Sequence, residues 1–586
     1  MTLVQHIGSL AVPMASINSE RLAPTEEQRA ILDAEGRVVR INARAGTGKT
    51  TTLRLLAERF RDQKVLYVVF NRRARQEAEA TFPDHVDVRT VHSLAMKSVA
   101  RGFKWQLARS GGLSTFDLLP AFGDMGSRQQ VMAGLTAEFL VYFLNSAHPK
   151  LEDAVEPFGA HYLSEEQQRD FAPRAERIVD VARTLTTDWH HGRTPCPHDF
   201  YLKLSHKTGR LVRALDRFDV VLVDEGQDLS QVMLDALRQC HQSIYLVGDS
   251  HQQIYGFRYA VDAMKRLDAD KELELSLSFR FGEPIARLAS AFIQEAKGEL
   301  GFAIRGNPER TSSVATQDDA SGRVRGRDRA ILARTNLGLF NTAVGLHERG
   351  VVCVFERSIG PLLNRALDVY WLYDGQRASI RDPLIRSFPD FSQLKNYAEE
   401  MEDFQLRELA KVVERYNRKM PTLVSGLSEF AKAHRNERGN GAIVLSTVHA
   451  AKGEEYGHVV LHEDIASALN RAIKYESARR VDEEANVAYV AMTRAIEHLV
   501  LPDDLNKELD LAWDAFTKPP PTTPYSRDNG HPESQPRELK VDDRVETHSG
   551  PGRIVQVGDD GRYVVALEEQ SVKVHERASE LKRIEG

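Results

Sequence analysis

A glycine-rich segment near the start of the chain has the residue types and spacing that bind phosphate. The segment is INARAGTGKTTTL, Ile41 to Leu53; the apolar run GRVVR precedes it and leucines at helical spacing follow in TTLRLLAERF. Between a strand and a helix, glycines let backbone N–H groups turn toward an anion, and the helix N-terminus adds partial positive charge. Lys49 can then reach the terminal phosphates, and the Thr50 hydroxyl can hold Mg²⁺.

This segment departs from the strict phosphate-loop pattern at one position, because Ala43 stands where the pattern has glycine. Its placement between a strand and a helix still favours a phosphate-binding loop over a glycine-rich turn with a chance lysine. The residues that we expect to hold the phosphates are Ala43, Arg44, Ala45, Gly46, Thr47, Gly48, Lys49, Thr50 and Thr51.

A second segment supplies two carboxylates at the end of an apolar run. FDVVLVDEGQD, Phe218 to Asp228, is continuously apolar before Asp224, as are strands buried on both faces of a parallel sheet. Asp224 can hold the shell of Mg²⁺, and Glu225 can accept a proton from an attacking water, which ATP hydrolysis requires. The alternative is an acidic loop after a core strand. Together with the phosphate loop, the segment predicts an ATP- and Mg²⁺-binding site.

The elements that position these residues belong to a long soluble chain. Its 586 residues predict about three to five compact units. Charged residues make up 28% and hydrophobic residues 42%, which is typical of soluble globular proteins. No apolar run approaches the roughly 20 residues of a membrane span, and the first residues lack a basic stretch followed by an apolar core. We therefore expect a cytoplasmic protein with no membrane partner.

Cysteines and net charge limit the kinds of site further. Cys196, Cys240 and Cys353 lie far apart in sequence, so neither a disulfide framework nor a paired-cysteine metal site is indicated. The net charge of −6 does not by itself favour a nucleic-acid partner. Basic blocks such as NRRARQ (71–76) and RVRGRDR (323–329) could still form a locally basic cleft, although such a block is more often a solvated face.

A third buried strand leads into a segment that resembles a known family. YLVGDSHQQIYGFRYA, Tyr245 to Ala260, is similar to the third signature of UvrD/Rep/PcrA-like superfamily 1 DNA helicases. The other signatures of that family follow one another in order. They are LAPTEEQRAIL with Gln28, LYVVFNRRARQEA with Phe70, TVHSLA with Thr90 and His92, LSLSFRF with Phe279 and Arg280, LSTVHAAKGEEY with Thr447, His449, Lys452 and Glu455, and EEANVAYVAMTRA with Tyr489 and Arg494.

The resemblance implies two RecA-like domains with ATP bound between them. In that arrangement Gln28 reads the adenine edge, Phe279 stacks on the base and Glu455 accepts from the ribose hydroxyl. Arg280 and Arg494 come from the second domain and would stabilise charge on the γ-phosphate as it is transferred. The catalytic set implied is Lys49, Asp224, Glu225, Gln252, Arg280 and Arg494, with Thr50 and Asp224 at the metal.

The resemblance also implies contacts with single-stranded DNA. Aromatic side chains would stack on unpaired bases, and polar side chains would contact the backbone or base edges. An equally ordinary role for any one of these aromatics is to fill the core beside a buried strand. The DNA-binding residues implied are Phe70, Asn71, His92, Tyr255, Phe257, Arg258, Thr447 and His449.

Five residues, in three signatures, depart from the family pattern. Asn71, Arg72 and Arg73 stand where the family commonly has Thr-Asn-Lys, and Phe257 replaces a tryptophan. Thr51 replaces the arginine that many members stack on adenine, so we assign binding of the base mainly to Phe279.

The expected fold is α/β: two RecA-like P-loop domains with helical insertions, plus a small C-terminal β-barrel. Pro-rich and polar residues predict a linker after the last signature. The alternating pattern beyond it resembles the Tudor-like or SH3-like tail of UvrD-type helicases, a module for a protein partner. The expected divisions are 1–100 and 205–274 (domain 1A), 101–204 (helical insertion 1B), 275–345 and 438–517 (domain 2A), 346–437 (a reduced 2B-like insertion, shorter as in F-box DNA helicases), 518–538 (linker) and 539–586 (barrel).

Two functions remain open on these motifs. The first is an ATP-dependent DNA helicase or translocase, 3′→5′ as in UvrD-like relatives, acting on single strands and single/double-strand junctions in repair, replication restart or recombination control. The alternative is a nucleic-acid-dependent ATPase subunit of an anti-phage defence system that regulates a partner effector. A protein-binding scaffold with an inactive ATP site is disfavoured because every catalytic position is filled.

Overall fold

The computed structural model describes most of the chain. The described residues are 23–99, 106–108, 112–256, 259–316, 329–434, 437–438, 441–475, 478–502 and 504–505, with the backbone of five strands between 544 and 583. The segment predicted as a linker, 518–538, lies outside them, as do Phe257 and Arg258.

The first domain is built on a six-stranded parallel sheet with the strand order β3-β2-β4-β6-β1-β8. Its central strands consist mostly of β-branched and aliphatic residues buried on both faces, which is why they form the interior of a parallel sheet. The strands are β1 Val38–Ala43, β2 Val65–Val69, β3 Val86–Thr90, β4 Val220–Val223, β6 Ser243–Gly248 and β8 Lys271–Leu275, and β5 Leu229–Ser230 pairs separately with β7 Ala260–Val261.

Helices cover both faces of this sheet. One face is packed by Ile31, Leu53 and Leu56, and the other by Leu94, Leu211 and Val232. The helices are α1 Glu26–Leu32, α2 Lys49–Arg59, α3 Arg72–Glu79, α4 Val91–Val99, α11 Arg210–Leu215, α12 Gln231–Gln239 and α13 Ala263–Arg266.

The second domain repeats this plan with another six-stranded parallel sheet, in the order β11-β12-β10-β13-β14-β9. The short strand β11 lies within the range 346–437 that we expected to be an insertion. It pairs in parallel with β12 and forms one edge of the sheet. The elements are β9 Ser313–Ala315, β10 Arg329–Ala333, β11 Cys353–Phe355, β12 Ile443–Thr447, β13 Tyr456–Leu461, β14 Ala495–Val500, α14 Glu283–Lys297, α15 Asn336–Glu348, α21 Val448–Ala451, α22 Glu463–Tyr475 and α23 Ala478–Met492.

Two groups of helices interrupt the two sheets. The first insertion separates β3 from β4, and the second separates β11 from β12. The first contains α5 Thr115–Leu118, α6 Gln129–Asn145, α7 Glu152–Tyr162, α8 Glu165–Phe171, α9 Ala175–His190 and α10 His198–Lys207, and the second contains α16 Gly360–Tyr373, α17 Pro383–Ser387, α18 Phe391–Glu400, α19 Phe404–Tyr416 and α20 Met420–Ala433.

The two insertions share one hydrophobic core. A Cβ atom on Gly134 in α6 would lie 2.9 Å from the methyl of Met401 and 3.0 Å from the hydroxyl of Tyr397, so the glycine permits close contact between the insertions. Arg128 adds an ion pair of 2.7 Å with Glu400. The insertions therefore connect the two domains a second time, away from the sheets.

The remaining described strands form a five-stranded antiparallel sheet in the order β18-β17-β16-β15-β19. Cys196, Cys240 and Cys353 are buried and free. Within the described ranges, none of the helices has the length and apolar character needed to cross a membrane. The C-terminal strands are β15 Arg544–Thr547, β16 Gly550–Val557, β17 Arg562–Leu567, β18 Lys573–Arg577 and β19 Lys582–Arg583.

Candidate functional site

The phosphate-loop segment lies between β1 and α2, where the sequence predicts it. Gly46 and Gly48 have φ angles of 74° and 78°, in the left-handed region that glycine adopts without strain. Gly48 is the N-cap of α2, so the loop ends at a helix N-terminus. A helix N-terminus with glycines before it is an anion-binding geometry.

The segment Ser278–Arg280 lies directly against this loop. The Phe279 amide donates to the Gly46 carbonyl at 2.8 Å. A Cβ atom on Gly46 would lie 2.6 Å from the Ser278 hydroxyl and 2.7 Å from the Cβ of Arg280, so only glycine fits here. The contact brings Phe279 and Arg280 to the rim of the loop.

The two predicted carboxylates follow β4 and face the loop. Lys49 lies 3.3 Å from Glu225, which has a φ of 53°, in the left-handed region. Burial favours the neutral form of Glu225, but Lys49 and Lys452 outweigh burial and lower its pKa to about 2. Burial and the charge of Glu225 instead raise the pKa of Asp224. Glu225 is thus held ionised, as a proton acceptor must be.

Asp224 and Thr50 carry the oxygen atoms that could hold Mg²⁺. The carboxylate of Asp224 accepts from the Tyr67 hydroxyl at 2.8 Å and from the Glu225 amide at 2.8 Å, which fixes its orientation. Carboxylate and hydroxyl oxygens are the ligands that Mg²⁺ prefers, with phosphates and waters completing its shell. The donor set therefore fits a magnesium ion bound together with nucleotide phosphates.

Gln252 belongs to a buried network behind the loop. Its amide donates to Asp249 at 2.7 Å. The Asp249 amide donates to Gln227 at 3.0 Å, and Gln227 in turn donates to Glu225. The network joins the end of β6 to the carboxylates that follow β4.

Lys452 of the second domain reaches into the same cluster. Its ammonium donates to Asp228 and, at 2.7 Å, to the Gln252 carbonyl. Although burial opposes the charge, Asp228 and Glu225 raise the pKa of Lys452. Burial raises the pKa of Asp228 to about 6, with Lys452 opposing the shift. This lysine places a second-domain cation beside the carboxylates of the first domain.

Two of the residues assigned to adenosine, Gln28 and Phe279, lie close to Gly48. A Cβ atom on Gly48 would lie 3.4 Å from the Phe279 ring and 3.7 Å from the Gln28 amide nitrogen. Gln28 is buried and donates to Thr52 at 3.1 Å. The Phe279 ring is 39% exposed, and Thr51 is exposed at the start of α2.

The two arginines assigned to the γ-phosphate are Arg280 and Arg494. Arg280 donates to Glu455 at 2.9 Å and to the Thr493 carbonyl at 2.7 Å, so Glu455 pairs with an arginine. Arg494 is buried and donates to the Val490 carbonyl at 2.9 Å. Burial and the nearby charge of Arg280 lower the pKa of Arg494 to about 9.

Most of the predicted site residues, but not Gln28, line one cleft with a cavity volume of about 920 Å³. Its walls come from both domains, and from the first domain they include Thr47, Thr50 and Gln252. The second domain contributes Phe279, Arg280, Lys452, Glu455 and Arg494.

An aromatic pair lies at one end of the cleft. The rings of Phe70 and Tyr255 are stacked, with centroids 5.4 Å apart and planes inclined by 15°. The Tyr255 hydroxyl donates to the His449 carbonyl at 3.3 Å, and the His449 ring lies 3.2 Å from the Ile254 carbonyl. Burial lowers the pKa of His449 to about 4. Phe70 is 37% exposed and can still offer a ring edge and face.

The other residues assigned to DNA are not part of this pair. His92 lies 2.8 Å from Asp199 of the first insertion. Asn71 and Thr447 accept from backbone amides as N-caps of α3 and α21, at 2.9 and 3.3 Å. These caps explain their residue types without a ligand.

Sequence reasoning gave no role to three residues that the structure brings into the site. Lys452 and Tyr489 stand in segments that carry family signatures, while Asp228 closes the carboxylate segment. Tyr489 is buried and touches the phosphate loop from the second domain. Its position within a family signature is the sequence feature that could have identified it as a site residue.

The two parallel sheets, the phosphate loop and the shared cleft define a two-domain P-loop protein with helical insertions. Residues 24–271 match the model of the UvrD/REP helicase N-terminal domain, and residues 151–502 match that of the UvrD-like helicase C-terminal domain. The second match covers more than half of the chain. The chain belongs to the UvrD-like helicase family, which confirms the resemblance seen in the sequence.

Three relatives illustrate the similarity. F-box DNA helicase protein 1 of Schizosaccharomyces pombe is 29% identical over 518 residues, which cover 82% of this chain and 58% of the relative. F-box DNA helicase 1 of Gallus gallus is 28% identical over 525 residues, covering 84% and 50%. A probable DNA helicase II homolog of Mycoplasma pneumoniae is 23% identical over 607 residues, covering 81% and 83%. The chain thus spans only about half the length of the two F-box relatives.

Proposed function

We propose that the chain is an ATP-dependent motor that moves along single-stranded DNA and separates strands at single/double-strand junctions. The observation that carries the proposal is the cleft itself. Lys49 and Glu225 of the first domain line one cavity together with Arg280 and Lys452 of the second. A site divided between two domains links ATP turnover to their relative movement.

In this proposal each side chain has a defined task in ATP hydrolysis. Lys49 and the loop amides bind the phosphates, and Thr50 and Asp224 hold Mg²⁺, which supplies charge neutralisation when bound. Glu225, ionised at neutral pH, accepts the proton of the attacking water. Arg280 and Arg494 line the same cleft and would stabilise charge on the γ-phosphate as it is transferred.

The proposed path for DNA runs over the aromatic pair. Stacking on Phe70 and Tyr255 is tolerant of sequence, as a moving motor requires, because every base has a π-face. His92, His449, Thr447 and Asn71 lie on the same domains and complete the proposed contacts, together with Phe257 and Arg258. The names of the relatives, DNA helicases, support DNA as the substrate.

Direction, pathway and partner belong to the same proposal. We assign 3′→5′ movement, a role in repair, replication restart or recombination control, and a cytoplasmic location. The antiparallel C-terminal strands support a Tudor-like or SH3-like barrel that binds a protein partner.

Strand displacement on duplexes with a single 3′ or 5′ tail tests the proposal. We expect ATP-dependent displacement from the 3′-tailed duplex and none by Glu225→Gln, which retains the fold and the phosphate loop. DNA-stimulated ATP hydrolysis without displacement on either duplex would favour the regulatory ATPase instead. Absence of both activities would contradict the proposal.

A further inference from the structure

The hydroxyl of Tyr489 contacts two elements of the first domain from the second. It accepts a hydrogen bond from the Ala45 amide in the phosphate loop at 3.3 Å and donates one to Asp249 at 3.0 Å. Tyr489 is completely buried, and burial followed by the charge of Asp249 raises its pKa far above the usual value. The hydroxyl therefore stays protonated and remains a donor.

The partners of this hydroxyl lead to the carboxylate that we assign to water activation. The oxygen of Asp249 that accepts from Tyr489 also accepts from Gln252. The amide of Asp249 donates to Gln227, which donates to Glu225. A single hydroxyl thus holds both the phosphate loop and the network behind the water-activating group.

The surroundings keep Tyr489 in this position. Its ring meets the rings of His251 and Phe302 edge to face, with centroids 5.9 and 5.8 Å away. Asn486, three residues earlier on α23, donates to the Gln253 carbonyl at 2.8 Å. Helix α23 therefore contacts the residues around Asp249 at two positions about one helical turn apart, Asn486 and Tyr489.

We propose that Tyr489 is a positioning residue whose hydroxyl sets the phosphate loop and Asp249 in their hydrolytic arrangement only when α23 is seated against the first domain. The inference rests on the proposed ATPase function. It makes the loop geometry depend on closure of the cleft. When the cleft closes, Arg280 and Arg494 would add positive charge, whereas Tyr489 would position the phosphate loop and Asp249.

The test is Tyr489→Phe, which keeps the ring contacts and removes the hydroxyl. Tyr245→Phe is the matched control, because the buried Tyr245 hydroxyl also makes a 2.9 Å hydrogen bond, to the Ala34 carbonyl away from the cleft. DNA-stimulated kcat, Kd for a fluorescent ATP analogue and Tm are measured for both variants and for the unmodified chain, with rates expressed per folded molecule.

For Tyr489→Phe we expect kcat to fall at least about tenfold while Kd changes less than about threefold, since the hydroxyl acts at closure rather than in first binding. For Tyr245→Phe we expect a lower Tm with an unchanged kcat. In a cycle with Asp249→Asn, the two losses in kcat should be far from additive, because both substitutions break the same contact.

Two results would overturn the inference: a kcat of Tyr489→Phe equal to that of Tyr245→Phe, or equal losses in Kd and kcat. Either result, with normal turnover by the unmodified chain, leaves the ATPase proposal intact. No turnover by the unmodified chain would contradict the ATPase proposal itself. The two failures are therefore distinguishable.

Discussion

The ammonium of Lys452, from the second domain, lies 5.0 Å from the centre of the Tyr255 ring in the first. The same ammonium lies 3.8 Å from the carboxylate of Glu225. One side chain thus contacts both the aromatic pair assigned to DNA and the carboxylate assigned to water activation. A base that displaces Tyr255 would also disturb the cation beside Glu225, and the effect must run in both directions because binding linkage is reciprocal.

Removing either partner of the 3.3 Å ion pair between Lys49 and Glu225 should abolish most ATP hydrolysis. Lys49→Ala loses charge stabilisation of the phosphates, and Glu225→Gln loses the proton acceptor. Glu225→Gln should still bind a fluorescent ATP analogue, because the phosphate loop is unchanged. Turnover near the unmodified rate in either variant would show that the assigned roles are wrong.

Arg280→Ala should reduce kcat by on the order of 10³ while nucleotide affinity changes only a few-fold, as expected for an arginine that acts on the transition state. Arg183→Ala is the control, since Arg183 pairs with Glu152 on the surface of the first insertion. Equal losses of binding and turnover in Arg280→Ala would instead mark a ground-state contact.

Tyr255→Leu should weaken binding of single-stranded DNA by about 1–3 kcal/mol, since it removes a stacking face. Tyr255→Phe keeps the ring and removes the hydroxyl that donates to the His449 carbonyl, so its affinity should stay close to that of the unmodified chain. Fluorescence anisotropy with labelled oligonucleotides measures both. A core-filling role for this ring predicts a lower Tm in Tyr255→Leu with unchanged affinity.

The contact between the insertions should weaken as pH rises. Burial, with the charges of Asp403 and Glu402 across the contact, raises the pKa of Glu138 to about 8, from 4.5. Tyr259 and Tyr397 also face this carboxyl. The folded state binds the proton of Glu138 more tightly than the unfolded state does. Protonation therefore stabilises the fold fully below about pH 4.5, and this stabilisation is lost as pH rises through about 8.

Glu138→Gln should therefore raise the free energy of unfolding at pH 8 by at least about 1 kcal/mol, near the equivalent of one pKa unit, and have little effect at pH 4.5. Glu176→Gln, at an exposed position of α9, should change neither value. Chemical denaturation at the two pH values gives the comparison. A pH-independent effect of Glu138→Gln would contradict the raised pKa.

Local patterns in the sequence were sufficient to predict the elements around the phosphate loop. A strand, the glycines at 46 and 48, and a leucine-spaced helix are determined within a few residues of one another, and the structure has them in place. The buried run before Asp224 predicts its strand for the same reason, because near-continuous runs of β-branched and aliphatic residues are typical of strands inside a parallel sheet.

Contacts between distant residues could not be predicted in this way. The Tyr489 hydroxyl meets Ala45 across 444 positions of sequence, and no periodicity carries that pairing. The close contact of Gly134 with Met401 depends on how two insertions pack, and Cys353–Phe355 is too short a strand to show a pattern. Asn71 and Thr447 were assigned to DNA from their places in family signatures, yet their observed hydrogen bonds are those of helix N-caps.

The most direct test of the central claim is the rate of ATP hydrolysis by the intact chain with and without single-stranded DNA. The contact of Lys452 with both Tyr255 and Glu225 predicts that DNA raises the rate at least about tenfold in the unmodified chain and leaves Glu225→Gln inactive in either condition. Hydrolysis at the same rate with and without DNA, by a chain shown to bind the oligonucleotide, would contradict the claim that this cleft drives movement on DNA.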